Sequence, residues 1–167
     1  YLKVYGVLVG KKPLIFTNND SGYETAIEFK KNGVEPIILD TRKEPNSEII
    51  EEAKNLGIQI KFSYVVVAAK GYKKVKSAEV AKISDDKNEL GILENITCDC
   101  ICVSGFWTPT IHLASQSGNK TTFNNDLDAF VPGVSKQNET TLGAANGTFT
   151  LAETLKDSFN AGYELSK

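Results

Sequence analysis

Apolar residues along the chain fall into short blocks separated by turn-forming residues, and the spacing inside each block changes with position. Pro13 to Thr17 (PLIFT) is a continuous apolar run between a Lys-Lys start and an Asn-Asn-Asp stop, the pattern of a strand buried on both faces. Ser21 to Lys31 carries an apolar stripe through Tyr23, Ala26 and Ile27 and stops at Asn32-Gly33, which reads as a helix. Val34 to Leu39 is a second buried strand, with Pro36 arguing against a central position for its first half. Asn46-Ser47 is placed to cap a second helix with Ile49, Ile50, Ala53 and Leu56 on one face and Gly57 at its end; Ile58 to Ile60 follows as a third strand. The β-α-β-α-β order favours a parallel wound sheet.

The pattern then changes. Tyr64 to Ala69 and Val75 to Ile83 read as strands joined by the polar turn Lys70 to Lys74, and Lys82 to Glu89 is polar and turn-like. Leu90 to Thr97 supplies one more strand, making an antiparallel meander appended to half of a Rossmann unit. Cys98 to Val103 reads as another buried strand ending at Ser104-Gly105. From Thr108 to Gly143 the turn signals Thr-Pro, Ser-Gly-Asn, Asn-Asn-Asp and Pro-Gly predict a loop-rich region. A closing helix spans roughly Leu151 to Leu165, with Leu151, Leu155, Phe159 and Tyr163 near one face.

Composition narrows the function classes. The 41% hydrophobic and 24% charged fractions are those of a globular protein, and a net charge of -2 gives no footprint for nucleic acid or an anionic membrane. No apolar run approaches the roughly 20 residues that span a bilayer. Three cysteines at 98, 100 and 102 make no disulfide framework, so a cytoplasmic location is expected. Their alternation places them on one strand face as small buried hydrophobes: metal chelation would want other spacing and more histidine than His112, and neighbours two apart on a strand are expected to splay too far for a strain-free disulfide. Asn-x-Thr triplets at Asn95, Asn119, Asn138 and Asn146 read as by-products of an Asn-rich composition. A chain that opens on Tyr and contains no Met is expected to be part of a longer polypeptide.

Two turns are candidate nucleotide sites. Thr17-Asn-Asn-Asp-Ser-Gly22 occupies the first βα turn, where G-x-G-x-x-G would bring backbone to a pyrophosphate. Thr17 and Asn19 replace the first two glycines and Gly22 keeps the third, whose job is close helix–strand packing. Asn18 or Asn19 tolerates a left-handed turn, but a side chain at 19 crowds a pyrophosphate on the helix N-terminus. Either a remodelled nucleotide site or a wound domain with an empty pocket is consistent with these residues. Asp40, about 20 residues on, stands where an acid accepts ribose hydroxyls, or else solvates a strand end; Arg42 is free to meet a phosphate or to pair with Asp40. The second turn, Gly143-Ala144-Ala145-Asn146-Gly147, leads into the last helix. It offers small residues before a helix N-terminus, suited to an anion or simply to tight packing under a Thr150 cap.

Taken in order, Val4-Tyr-Gly-Val, Phe16-Thr-Asn-Asn-Asp-Ser-Gly-Tyr23, Leu39-Asp-Thr-Arg42, Cys98-Asp-Cys, Val103-Ser-Gly-Phe-Trp-Thr-Pro-Thr-Ile-His-Leu113, Ala129-Phe-Val-Pro-Gly133 and Gly143 to Leu151 resemble the middle of the alpha subunit of heterotetrameric sarcosine oxidase. The resemblance implies a glutathione-reductase-type α/β fold. Residues 1–100 would be an inserted Rossmann-like domain with its β-meander. Residues 101–167 would be a return segment completing a first dinucleotide fold whose N-terminal half lies elsewhere. In that family the complex oxidises sarcosine to glycine and passes the methyl carbon to tetrahydrofolate. The amine-oxidising flavin (FAD/FMN) sits in the beta subunit, with gamma and delta subunits as further partners. The alpha subunit carries an NAD-type nucleotide, which by motif the Gly143–Gly147 turn would approach. Phe106 departs from the glycine expected before Trp107. The chain alone is expected to supply scaffold and subunit contacts rather than the oxidative centre, with a self-sufficient NAD-binding module and a purely structural interaction domain as the alternatives.

Overall fold

The computed structural model describes residues 1–84 and 89–166. The polar turn expected over Lys82 to Glu89 therefore lies largely outside the described residues. Two compact units divide the chain, Tyr1–Phe106 and Trp107–Lys167. The expected domain boundary stood at 100/101.

In the first unit a short helix α1 (Leu2–Tyr5) precedes strand β1 (Pro13–Thr17), helix α2 (Ser21–Lys31), strand β2 (Ile37–Asp40), helix α3 (Glu48–Asn55) and strand β3 (Gln59–Phe62). β2 starts only after Pro36, which has no N–H to donate to a neighbour, so it is shorter than the apolar run that announced it. Three antiparallel strands follow, β4 (Tyr64–Gly71), β5 (Val75–Lys82) and β6 (Glu94–Thr97), and then β7 (Cys100–Ser104). The sheet order β3-β2-β1-β7 is parallel throughout, with Ile15 opposite Ile38 on one side and Cys102 on the other. β4, β5 and β6 form a separate antiparallel sheet. The chain switches from one sheet to the other through Ser63 alone, at φ 58°. Gly71 is required at the β4–β5 turn, because a Cβ there would lie 2.0 Å from the Lys74 carbonyl oxygen.

Side-chain alternation builds a layer on each face of the parallel sheet. Ile15 and Ile38 point to the helices and pack with Tyr23, Ala26, Ile27 and Phe29 of α2 and with Ile50 and Ala53 of α3. Leu14 and Leu39 point the other way, onto Ala78 and Val80 of β5, with Tyr64 and Val66 of β4 beside them. The result is helices, parallel sheet and antiparallel meander, stacked in that order. The cysteines do not share one face as their alternation suggested. Asp99 turns the chain before β7 begins, so Cys98 sits in the meander-side core while Cys102 packs on the helix side.

The second unit contains helix α4 (His112–Gln116), a hairpin of β8 (Thr121–Asn124) and β9 (Ala129–Pro132), a 3-10 turn over Gly143–Asn146 and helix α5 (Leu151–Leu165). The hairpin and α4 lie inside the region expected to be loop. Phe123 and Phe130 face each other across the hairpin, edge to face at 5.2 Å, and Asp128 takes the left-handed turn position at φ 49°. Leu151, Leu155, Phe159 and Tyr163 along α5 are exposed.

Candidate functional site

The end of β1 and the start of α2 form the turn that a dinucleotide would approach. Gly22 is buried against Thr17: a Cβ on Gly22 would meet Thr17 Cβ and Oγ1 at 2.6 Å. This is the close helix–strand contact for which the third glycine of a nucleotide turn is needed. The Thr17 hydroxyl donates to the Asn19 carbonyl (2.8 Å) and accepts from the Asn19 amide (3.2 Å), closing the turn with its own side chain.

Asn19 then fills the helix N-terminus. Its Oδ1 accepts from the Ser21 amide (2.9 Å) and the Ser21 hydroxyl (2.6 Å), and its Nδ2 donates to Asn18 Oδ1 (3.1 Å) and to the Gly105 carbonyl. The Ser21 hydroxyl also meets Ser104 Oγ at 2.6 Å. The first free amide of a helix is the donor an anion would use. Here that donor is taken by a neutral side chain that also ties the turn to the end of β7.

At the end of β2 lies a buried charge network. Asp40 has no exposed surface, and Tyr23 donates its hydroxyl to Asp40 Oδ2 at 2.7 Å. Arg42 donates its backbone amide and Nε to Asp40 Oδ1 (2.9 and 3.1 Å) and a guanidinium N–H to Oδ2 (2.8 Å). The same guanidinium nitrogen sits 2.8 Å from Asp20 Oδ1, an ion contact not aligned as a hydrogen bond. Burial pushes the Tyr23 hydroxyl well above its ordinary range, and donation to Asp40 pushes it further, so it stays protonated. Burial works against the Arg42 charge, but the hydrogen bonds to Asp40 and the ion contact with Asp20 outweigh it and raise its pKa. Of the two roles open to Arg42, the structure shows the ion pair with Asp40. Both Asp40 oxygens are occupied from inside the protein.

At the first turn Asn19 therefore occupies the Ser21 amide, and Tyr23 and Arg42 occupy both oxygens of the buried Asp40. Sequence reasoning assigned Tyr23 to the apolar stripe of α2, and its part in the Asp40 network was missed. A tyrosine one turn into a helix facing a strand-end acid is the signal that would have found it.

In the second unit Gly143 (φ 63°) and Gly147 (φ 88°) bracket the 3-10 turn. A Cβ on Gly147 would reach 2.4 Å from Leu127 Cδ1, and one on Gly143 would reach 2.9 Å from Thr154 Cγ2. Ala144 and Asn146 between them are exposed, Ala145 is half-buried and Gly143 is buried. Thr150 caps α5, accepting from the Glu153 amide (3.3 Å) and donating to Glu153 Oε2 (2.6 Å). Glu153 is the one acid in the first turn of this helix. Asn119, one of the four Asn-x-Thr residues, is buried and bonded to Glu139 and to the Lys136 amide. His112 is exposed, and among the described residues no group of three or more His, Cys, Asp or Glu is placed to hold a metal ion. No helix among the described residues is long and apolar enough to cross a membrane.

The layered sheet and meander define the class of fold, that of the glutathione-reductase-like flavoprotein and dinucleotide-dependent reductases. Solved structures with this fold include the HOCl-induced flavoprotein disulfide reductase of Escherichia coli (TM-score 0.61, 15% identity, 91% of this chain and 34% of that one). The bacillithiol disulfide reductase of Staphylococcus aureus is another (TM-score 0.59, 15% identity, 91% of this chain and 51% of that one). In sequence the chain is similar to the sarcosine oxidase alpha subunits of Rhizobium meliloti strain 1021 (34% identity over 150 residues, 89% of the chain) and Corynebacterium sp. strain P-1 (30% over 157 residues, 93% of the chain). It spans only 14% and 16%, respectively, of the length of these curated relatives. No protein-family model matches.

Proposed function

We propose that this chain is the part of a sarcosine-oxidase-type alpha subunit that supplies dinucleotide-fold scaffold and subunit contacts rather than the oxidative centre. The observation that carries the reading is the capped first turn. The fold is a dinucleotide fold, yet Asn19 and the Tyr23–Asp40–Arg42 network occupy the positions where a dinucleotide would bind. Asn18, Asn19, Gly22 and Asp40 are then residues that keep the fold closed. The NAD-type nucleotide of the whole subunit is contacted here through Gly143, Ala144, Ala145, Asn146 and Gly147.

Under the same proposal the full complex oxidises sarcosine to glycine and hands the methyl carbon to tetrahydrofolate, with FAD or FMN in the beta subunit. Beta, gamma and delta subunits are the partners, and the location is cytoplasmic. The exposed Leu151, Leu155, Phe159 and Tyr163 on α5 are in keeping with a surface that other polypeptide covers.

Calorimetric titration of NAD, ATP and FAD into the full alpha subunit tests the assignment. NAD affinity is expected to fall at least tenfold in Asn146→Glu, which adds charge at an exposed position, and to survive Asn19→Ala. Loss of binding in Asn19→Ala with none in Asn146→Glu would instead put the nucleotide on the first turn. The absence of any affinity in the full subunit would favour a purely structural domain. Sarcosine-dependent peroxide formation by the 167-residue chain alone would overturn the non-catalytic reading.

A further inference from the structure

Cys100 and Cys102 take no part in either turn, yet their sulfurs lie 3.7 Å apart, in contact. Residues two apart on a strand are separated by about 6.6 Å of backbone, so the side chains lean toward each other rather than splay. That separation is at the upper end of the roughly 4.4–6.8 Å between Cα atoms that a disulfide spans. Among the described residues β7 is an outer strand of the parallel sheet, hydrogen-bonded there to β1. Both thiols are partly accessible, and Cys102 also lines a cavity of about 320 Å³ between α1 and α2, with Leu2, Val9 and Phe29. Cys98 is buried on the opposite face of the sheet and is not a rival partner.

We propose that Cys100 and Cys102 form an oxidisable dithiol, a modification site at which a peroxide closes an intrachain disulfide. Cys100 begins the reaction. Cys102 is packed against the helix-side core and burial, followed by its neighbour Cys100, pushes its thiol up to about 12, whereas Cys100 belongs to neither core cluster. The Cys100 sulfur attacks one peroxide oxygen: an S–O bond forms, the O–O bond breaks, and the departing hydroxide takes up the Cys100 thiol proton as water. Cys102 sulfur then attacks the oxidised sulfur of Cys100. The S–S bond forms, the S–O bond breaks, and hydroxide departs with the Cys102 proton as a second water. Two thiols and one hydrogen peroxide give one disulfide and two waters.

The test is hydrogen peroxide treatment of the purified 167-residue chain, followed by alkylation and mass spectrometry. The expected product is lighter by two hydrogens, with two thiols protected, the bridge mapped to Cys100 and Cys102, and full reversal by dithiothreitol. Cys98→Ser is expected to leave this unchanged. Cys102→Ser is expected to convert Cys100 to sulfinic and sulfonic acid instead. Phenylarsine oxide, which bridges close thiol pairs, reads the same geometry without oxidation and is expected to bind one equivalent to wild type and none to Cys102→Ser. Three independently alkylated thiols after peroxide with no arsenical bound, or a bridge to Cys98, would overturn the proposal.

Discussion

Replacing Gly22 by alanine adds one methyl group to the most closely packed point of the first βα turn. In an open helix this change stabilises, by up to about 1 kcal/mol, because alanine loses less backbone entropy than glycine. At position 22 the new Cβ would lie 2.6 Å from Thr17 Cβ and Oγ1 and 2.9 Å from Thr17 Cγ2. Thr17 cannot swing aside: it is 2% exposed, and its hydroxyl is fixed by the Asn19 carbonyl and amide. Inserting a methyl group into such a site costs roughly 1–3 kcal/mol. The clash outweighs the entropy gain, and a net loss of about 1–2 kcal/mol is expected. Urea unfolding of Gly22→Ala should show a lower midpoint with an unchanged slope. A double-mutant cycle isolates the cause. In a Thr17→Gly background the same substitution should be neutral or stabilising, giving a coupling of about 2 kcal/mol, whereas Thr17→Ser, which keeps Cβ and Oγ, should relieve little. A neutral Gly22→Ala, or an equal penalty in both backgrounds, would refute the packing argument.

Further predictions concern charge. Arg42→Ala strips the wholly buried Asp40 of its cation; breaking a buried pair costs about 3–5 kcal/mol, and the partial exposure of Arg42 should bring this to about 2 kcal/mol by urea unfolding. Tyr23→Phe should cost about 1–3 kcal/mol for the same carboxylate, and the two losses should be non-additive because the donors share one acceptor. The Asp99 carboxylate is held below the ordinary range, first by the Lys11 amide and then by that of Lys12. A depressed native value contributes stability that is complete above the unfolded value of about 3.9 and is lost as pH falls through the native one. Unfolding measured across acidic pH should therefore show Asp99→Asn less stable than the parent above about pH 4, with the gap closing on further acidification.

Most of the first unit was legible because its strands are apolar on both faces and its helices carry a single stripe. PLIFT and the stripe from Tyr23 to Ile27 have no other way to be buried. Pro36 shortened β2 for a reason visible in the sequence, the missing N–H. The β8–β9 hairpin was not legible, since Thr121, Thr122 and Asn124 are polar and the Asn-Asn-Asp signal that was read as loop is the hairpin's own turn. The face of Cys98 depended on Asp99, whose carboxylate binds backbone amides 87 and 88 residues away in sequence. Contacts at that range leave no local trace. At the first turn, Thr17 and Asn19 in place of glycine were legible in the sequence, as was the need for a small residue at position 22, where the helix packs against Thr17. That Asn19 would reach forward to cap the Ser21 amide, and that Asp40 would be sealed by Tyr23, required the fold.

A first turn closed by its own side chains should hold no dinucleotide. An NAD titration of the isotopically labelled chain, followed by amide resonances, measures this. The amides of Thr17 to Gly22 and Asp40 to Arg42 are expected to stay in place at saturating NAD, with any shifts confined to Gly143 to Gly147. Saturable shifts at Asn19, Ser21 and Asp40, with the second turn silent, would contradict it.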